Sequence, residues 1–200
     1  TADDEHAILL PEDAGRQGLE PAVQRCVSVD AEAHCVAEWF LDRKKAGYEW
    51  SQMACLYPEH WIGGRVAQIL ARHNVPIDMA KDNRNRVSVK RMAVRFLSMH
   101  NAKGLEFPCV AIAGLGLLGR HGESVEECVT LTYVGVTRAT HEALLTYSSE
   151  SALVQRLIAH EFIPESSGSR VPVARIDLDF VNLAVLAEQP RPQAVEGADP

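Results

Sequence analysis

The sequence predicts an α/β protein with a mostly parallel β-sheet flanked by helices. Short apolar strand candidates alternate with amphipathic helical segments, which is the pattern of βαβ units. Several strand candidates are continuous apolar runs, typical of strands buried on both faces. The 200 residues, 46% hydrophobic and 24% charged, suffice for one domain with its own core. We expect that domain over residues 21–164, after a polar segment at 1–20 and before a partly disordered Ser/Gly/Pro-rich extension at 165–200.

The predicted elements follow one another as strand–helix units. In chain order they are a strand over 23–29, a helix over 32–45, a strand over 53–57, a helix from 58 to about 73, strands over 94–97 and 109–113, a helix over 125–138, a strand over 143–147 and a helix over 151–160. Asp30 is expected to be the N-cap of the first helix and Pro58 to open the second, since those positions favour these residue types. The first helix carries Val36, Ala37 and Phe40 at helical spacing. Residues 171–186 are a candidate for a further edge strand or short helix.

The charge distribution leaves nucleic-acid binding open. A net charge of −7 argues mildly against a protein that simply coats nucleic acid. A basic cluster nevertheless lies between two predicted elements, and it consists of Lys81, Arg84, Arg86, Lys90, Arg91 and Arg95. Such a cluster either follows a DNA backbone or is an ordinary solvated loop. The three tryptophans, Trp39, Trp50 and Trp61, are expected in core or interface contacts rather than as platforms for stacked bases.

The five cysteines are scattered and odd in number, and none forms a Cys-x-x-Cys pair. This pattern argues against a disulfide scaffold and a zinc knuckle, and we predict no metal site from it. Cys55 and Cys109 lie inside apolar runs and are expected to be buried. No apolar stretch approaches the roughly 18 residues needed to cross a bilayer. We therefore expect a cytoplasmic protein with no membrane partner.

Two stretches carry most of the chemistry. Residues 100–107 read His-Asn-Ala-Lys-Gly-Leu-Glu-Phe, and residues 133–139 read Tyr-Val-Gly-Val-Thr-Arg-Ala. Each places charged or hydroxyl-bearing residues at a junction between an apolar strand and a helix, where open α/β sheets bind ligands. On the residues alone, a plain turn and a solvated surface arginine remain the alternatives.

The residue types in these stretches suit phosphate and ribose groups. Gly104 lets the backbone approach a phosphate closely, and Glu106 can accept a hydrogen bond from a ribose hydroxyl. Ser98, His100 and Lys103 place hydrogen-bonding and cationic groups at the end of a strand. Arg138 offers a planar guanidinium fork that matches phosphate oxygens.

Together, in this order and about 30 residues apart, the two stretches resemble motifs V and VI of UvrD/Rep/PcrA-type superfamily 1 helicases. The resemblance implies a RecA-like fold for this region, specifically the second RecA-like domain. It implies that ATP and Mg²⁺ are held mainly by an N-terminal RecA-like domain, and that ATP lies in the cleft between the two domains.

The resemblance also assigns roles to individual residues. It implies that Gly104 and Glu106 face the nucleotide and that Arg138 is an arginine finger on the γ-phosphate. It places Ser98 and His100, with Lys103 beside them, on single-stranded DNA. The function it implies is that of the C-terminal motor domain of an ATP-dependent DNA helicase or translocase.

The sequence departs from the family pattern in two places. No Gly-x-x-x-x-Gly-Lys-(Ser/Thr) occurs, so the isolated chain is expected to hydrolyse no ATP. Pro58 stands where the family's motif IV strand often continues into a phosphate-facing arginine, and Arg65 is a poor substitute on spacing. A non-enzymatic helicase-like module for DNA binding or protein docking therefore stays open as the alternative.

Overall fold

The computed structural model describes residues 21–79 and 92–159, and it shows a six-stranded, wholly parallel sheet with helices on both faces. The predicted α/β class is confirmed. The polar segment 1–20, most of the basic cluster, and the extension 165–200 with its candidate element at 171–186 lie outside the described residues.

Ten regular elements build the described part of the chain. The strands are β1 (Ala22–Arg25), β2 (Met53–Tyr57), β3 (Ile77–Met79), β4 (Val94–Ser98), β5 (Phe107–Ile112) and β6 (Ala139–Tyr147). The helices are α1 (Val29–Lys45), α2 (His60–Arg72), α3 (Val125–Val136) and α4 (Ala152–Ala159). Short 3₁₀ turns occur at Trp50–Gln52, Met99–Ala102 and Leu115–Leu117. No helix within 21–79 and 92–159 is long and apolar enough to cross a membrane.

The strand order is β1-β6-β5-β2-β4-β3. All strand pairs are parallel, so the carboxyl ends of the six strands lie along one side of the sheet. We call that side the carboxyl edge, and the opposite side, where the strands begin, the amino edge. Tyr57 lies level with Ser98 at the carboxyl edge. Phe107 pairs with Ala139 at the amino edge.

The sheet separates two hydrophobic layers, because successive strand residues point to opposite faces. The layer under α1 and α2 contains Phe40, Tyr57 and Phe96. The layer under α3 and α4 contains Leu56 and Ile112. Burial on both faces explains why the central strands are continuous apolar runs. Cys55 and Cys109 are buried, as the sequence predicted.

The predicted start of α1 was wrong. Ser28 is the N-cap, and its hydroxyl accepts a hydrogen bond from the backbone N–H of Ala31 at 3.2 Å. Asp30 lies inside the first turn, where its carboxylate pairs with the Arg65 guanidinium at 2.7 Å. The helix thus begins earlier than expected, and β1 is correspondingly short, ending at Arg25.

The other differences are also at element boundaries. α2 begins at His60 with Glu59 as N-cap, so Pro58 precedes the helix instead of opening it. α3 ends at Val136, which leaves Arg138 outside the helix. β6 begins at Ala139 rather than 143, because its polar first residues still pair with β5.

β3 is a strand that the sequence analysis did not predict. It has three residues, and among the described strands it pairs with β4 alone. An ion pair of 3.5 Å between Asp78 and Arg95 joins the two strands. Arg95, a member of the predicted basic cluster, is therefore engaged within the fold.

Candidate functional site

The segment from Met99 to Glu106 connects β4 to β5 without a helix, and we call it the crossover. Ser98 lies level with Tyr57, whereas Cys109, two residues after Phe107, lies level with Met53. The crossover therefore spans six residue positions along the strands, about 20 Å at roughly 3.3 Å per residue. It begins at the carboxyl edge and ends at the amino edge.

The crossover is fixed to the core by its buried residues. Met99 and Ala102 are buried in the layer under α3. Gly135 of α3 packs against them: a Cβ added there would lie 3.2 Å from the Met99 methyl carbon and 2.9 Å from Ile112 Cδ1. The small residue lets α3 approach the crossover closely, and the remaining crossover side chains are left at the surface.

Two of the predicted DNA-binding residues lie at the carboxyl edge. Ser98 ends β4 and is half-buried, and its hydroxyl does not cap the turn that follows. His100 is exposed within that turn. Lys103 follows the turn, also exposed, part of the way along the crossover. A polymer lying across this edge would meet a hydroxyl, an imidazole and an ammonium group in succession.

Gly104 turns the crossover towards the amino edge. Its φ of +81° lies in the left-handed region, which favours glycine. A Cβ added there would meet no heavy atom within 4 Å. Within the described residues, the glycine is therefore required by its backbone conformation and not by lack of space. Glu106 follows, exposed, immediately before β5.

Arg138 lies at the amino edge, beside the end of the crossover. Its Nε donates to the Val134 carbonyl at 3.0 Å, and Nη1 makes a long contact of 3.4 Å to the carbonyl of Leu105. Nη2 donates to Thr137 Oγ1 at 3.2 Å. A guanidinium has five N–H donors, so two remain for a ligand. The half-buried group is thus oriented by α3 and by the crossover, with donors to spare.

The predicted site residues fall into two groups at opposite edges. Ser98 and His100 lie at the carboxyl edge, and Glu106 and Arg138 at the amino edge. Arg138 lies at a junction between a helix and a strand, as the sequence indicated. There α3 returns the chain to the start of β6.

The amino-edge group fits a nucleotide in part. The spare N–H donors of Arg138 suit a phosphate, and the exposed carboxylate of Glu106 suits a ribose hydroxyl. Within 21–79 and 92–159, no three His, Cys, Asp or Glu side chains cluster to hold a metal ion.

Comparison with known proteins decides the family. Residues 23–150 match the UvrD-like helicase C-terminal domain. The chain belongs to that family. The UvrD-like domain is 32% identical over 120 residues to the ATP-dependent DNA helicase Rep of Buchnera aphidicola from Acyrthosiphon pisum, covering 57% of this chain and 16% of that protein. It is 40% identical over 75 residues to DNA helicase II of Escherichia coli K12, covering 34% of this chain and 10% of that protein.

A solved structure supports the fold of the UvrD-like domain. The C-terminal domain of a possible DNA helicase from Lactobacillus plantarum WCFS1 superposes with a TM-score of 0.54 at 22% identity. The match covers 72% of this chain and 83% of that one. The chain spans a sixth or less of the length of the two curated relatives described above.

The motif IV region of the UvrD-like domain lies at the carboxyl edge. Tyr57 is buried there and Pro58 follows directly. An arginine at position 58 would lie at the carboxyl edge, whereas Arg138 lies at the amino edge. Pro58 therefore removes no side chain from the amino-edge group. Arg65 is no substitute, because Asp30 and Gln68 hold its guanidinium through bonds of 2.6–3.1 Å.

A buried carboxylate in the UvrD-like domain escaped the sequence analysis. Glu32 in α1 is 1% exposed and accepts hydrogen bonds at the ends of β5 and β6. Its Oε2 accepts from the Gly114 N–H and the Thr146 hydroxyl, each at 2.8 Å, and its Oε1 accepts from the Ser148 hydroxyl at 2.5 Å. A glutamate in a first helical turn resembles a surface residue that complements the helix dipole, so the sequence held no indication of burial.

The prediction of core or interface contacts agrees with the positions of Trp39 and Trp50, and for Trp61 an interface contact stays a prediction. Trp39 and Trp50 are half-buried and pack against the layer under α1 and α2. Trp61 is 50% exposed on the first turn of α2, so it is not a core residue.

Proposed function

We propose that this UvrD-like domain is the C-terminal motor domain of an ATP-dependent DNA helicase or translocase, working with an N-terminal RecA-like domain that carries the P-loop. Two relatives bear the names of DNA helicases. The observation that carries the proposal is the crossover, because one short segment joins a phosphate-suited edge to a DNA-suited edge. Such a segment lets the occupancy of one edge affect the other.

In this proposal the amino edge receives the nucleotide. Arg138 donates its spare N–H groups to the γ-phosphate and stabilises charge that develops during phosphoryl transfer. Glu106 accepts a hydrogen bond from a ribose hydroxyl, and Gly104 lets the backbone approach the nucleotide closely. ATP with Mg²⁺, held mainly by the N-terminal domain, supplies the phosphoryl group whose transfer to water drives movement.

The carboxyl edge receives single-stranded DNA. Ser98 and His100 contact the strand, and the exposed ammonium of Lys103 attracts its phosphates. A motor of this kind is expected to act in the cytoplasm, which stays a prediction. The alternative of a non-enzymatic module rested on Pro58, and position 58 lies away from the amino-edge group, so that observation no longer favours it.

The test compares the 200-residue chain alone with the same chain joined to a P-loop-bearing RecA-like domain. The chain alone should release no phosphate from ATP above a protein-free control, since it has no P-loop sequence. The joined protein should hydrolyse ATP, and single-stranded DNA should stimulate it. The proposal would be contradicted if the chain alone released phosphate and Arg138→Ala abolished that release. It would also be contradicted if single-stranded DNA did not stimulate ATP hydrolysis by the joined protein.

A further inference from the structure

Among the described tryptophans, tyrosines and phenylalanines, Trp61 is the most exposed. It is 50% exposed and lies on the first turn of α2, four residues after β2 ends at the carboxyl edge. An indole left this far in water retains a large apolar surface that a planar ligand can cover.

The indole is open because its neighbours on α2 leave it uncovered. Helical side chains lean towards the helix N-terminus, so residues one turn later would cover the indole. Gly64 has no side chain, and a Cβ built there would meet no atom within 4 Å. The Arg65 guanidinium donates hydrogen bonds to Asp30 of α1 and to Gln68, so it is engaged with these residues.

The first turn of α2, which carries Trp61, is packed tightly against the core. Gly63 lies directly on the buried ring of Tyr57, so close that an added Cβ would be 2.4 Å from a ring carbon. The His60 ring packs against the same tyrosine, with ring centroids 5.5 Å apart. The start of α2 is therefore fixed on the end of β2, so the backbone position of Trp61 is already set before a ligand binds.

A continuous surface connects Trp61 with the proposed DNA-binding edge. Tyr57, beneath α2, is level with Ser98 on the next strand. The loop after β5 crosses this edge: His121 Nε2 contacts Glu59 Oε1 at 2.5 Å, beside Trp61. In the same loop the backbone N–H of His121 donates to Glu123 Oε2 at 3.0 Å, which places a second carboxylate beside this contact.

The charges on this surface favour a base over a phosphate. Glu59 and Glu123 both contact His121 near the start of α2, and their carboxylates repel phosphate groups. An aromatic ring needs no charge to stack on a nucleobase, and it accepts every base because each has a π-face.

We propose that Trp61 stacks on a base of single-stranded DNA and extends the DNA path from His100 across the end of β2 to α2. This inference rests on the proposed function, because it adds a contact to the same DNA-binding edge. The other class of occupant, a protein surface such as the partner RecA-like domain, becomes an outcome of the test.

The experiment titrates the 200-residue chain with oligothymidylate and records both anisotropy of labelled DNA and intrinsic tryptophan fluorescence. Trp61→Ala should weaken binding about tenfold, within the range of base–aromatic stacking. Trp61→Phe should retain most of the affinity and lose the quenching that DNA produces in the wild type. Met92→Ala is the matched control, since it removes an exposed apolar side chain just before β4, at the amino edge, and should change nothing.

An oligonucleotide of abasic units separates stacking from other contacts. The wild type and Trp61→Ala should bind it equally, because the phosphates remain and the bases are gone. Equal affinity of wild type and Trp61→Ala for oligothymidylate would overturn the inference and direct attention to a protein partner. The inference would also be overturned if Trp61→Ala lost the same affinity for abasic DNA as for oligothymidylate. If His100→Ala weakens binding and Trp61→Ala does not, the inference fails while the proposed function stands; no binding by the wild type would overturn both.

Discussion

The backbone N–H of Phe107 donates to the carbonyl oxygen of Arg138 at 2.8 Å. This bond and the guanidinium contact to the Leu105 carbonyl join the end of the crossover to the start of β6 at two points. Arg138 therefore cannot shift without moving the residues around Glu106. The two proposed nucleotide-facing groups form one unit although they are 32 positions apart in the sequence.

We predict that Arg138→Ala, in a protein that also contains the P-loop domain, lowers kcat by roughly 10³-fold or more and changes ATP binding much less. An arginine finger acts mainly on charge in the transition state. Steady-state phosphate release and equilibrium nucleotide binding measure the two effects. Arg138→Lys is the control, because it keeps the charge but loses the planar fork and should recover only part of the rate. A kcat near that of the wild type would show that Arg138 is a surface residue.

Opposite placement of His100 and Glu106 predicts opposite phenotypes. His100→Ala should weaken single-stranded DNA binding and DNA stimulation while leaving the basal ATPase nearly intact. Glu106→Ala should raise the KM for ATP while leaving DNA affinity in the absence of nucleotide unchanged. DNA affinity and basal ATPase are measured on both variants. If both substitutions affect both quantities equally, the two edges do not act as separate sites.

Two adjacent glycines in α2 should respond in opposite directions to the same substitution. Gly63→Ala forces a methyl group into the Tyr57 ring and should destabilise the domain by about 1–3 kcal/mol. Gly64→Ala meets open space and should stabilise it by about 0.5–1 kcal/mol, since alanine is the better helix former. Urea unfolding of the two variants measures both effects. Equal stabilities would mean that α2 is not seated tightly on β2.

The buried carboxylate of Glu32 predicts a large loss of stability on truncation. Glu32→Ala removes the acceptor for three donors, and leaving them unsatisfied should cost about 3 kcal/mol or more. Glu32→Gln keeps an acceptor oxygen and the shape, so it should cost clearly less. Denaturant unfolding that ranks these variants differently would contradict the assigned network.

The sequence predicted best those elements whose burial leaves a direct pattern. β2 is five apolar residues in a row, and its predicted bounds agree with the structure. β3 was missed because three residues after a proline carry too little pattern, and only pairing with β4 makes them a strand. The polar start of β6 was missed for a similar reason: Glu142 stays within the strand because Arg43 of α1 pairs with it.

The sequence suggested the candidate residues of the site but not the contacts that hold them. It placed the expected DNA-facing and nucleotide-facing groups together within residues 98–106. The segment must cross from one edge to the other because β4 and β5 both run parallel to β2, and what the local sequence does not show is that it crosses without an α-helix. The exposure of Trp61 depends likewise on Gly64 and on the distant partner of Arg65, Asp30.

The pairing of β1 with β6 has a consequence for how the chain reaches its native state. Among the described strands, the first, Ala22–Arg25, pairs only with the last, through pairs such as Arg25 with Tyr147. A ribosome must therefore synthesise more than 120 further residues before the first strand can be seated, and loop closure over that distance is slow. Until then, β1 and the apolar face of α1 are exposed to other chains. The nascent domain that still lacks Tyr147 is thus a stage vulnerable to aggregation, because β1 has not yet gained its partner β6.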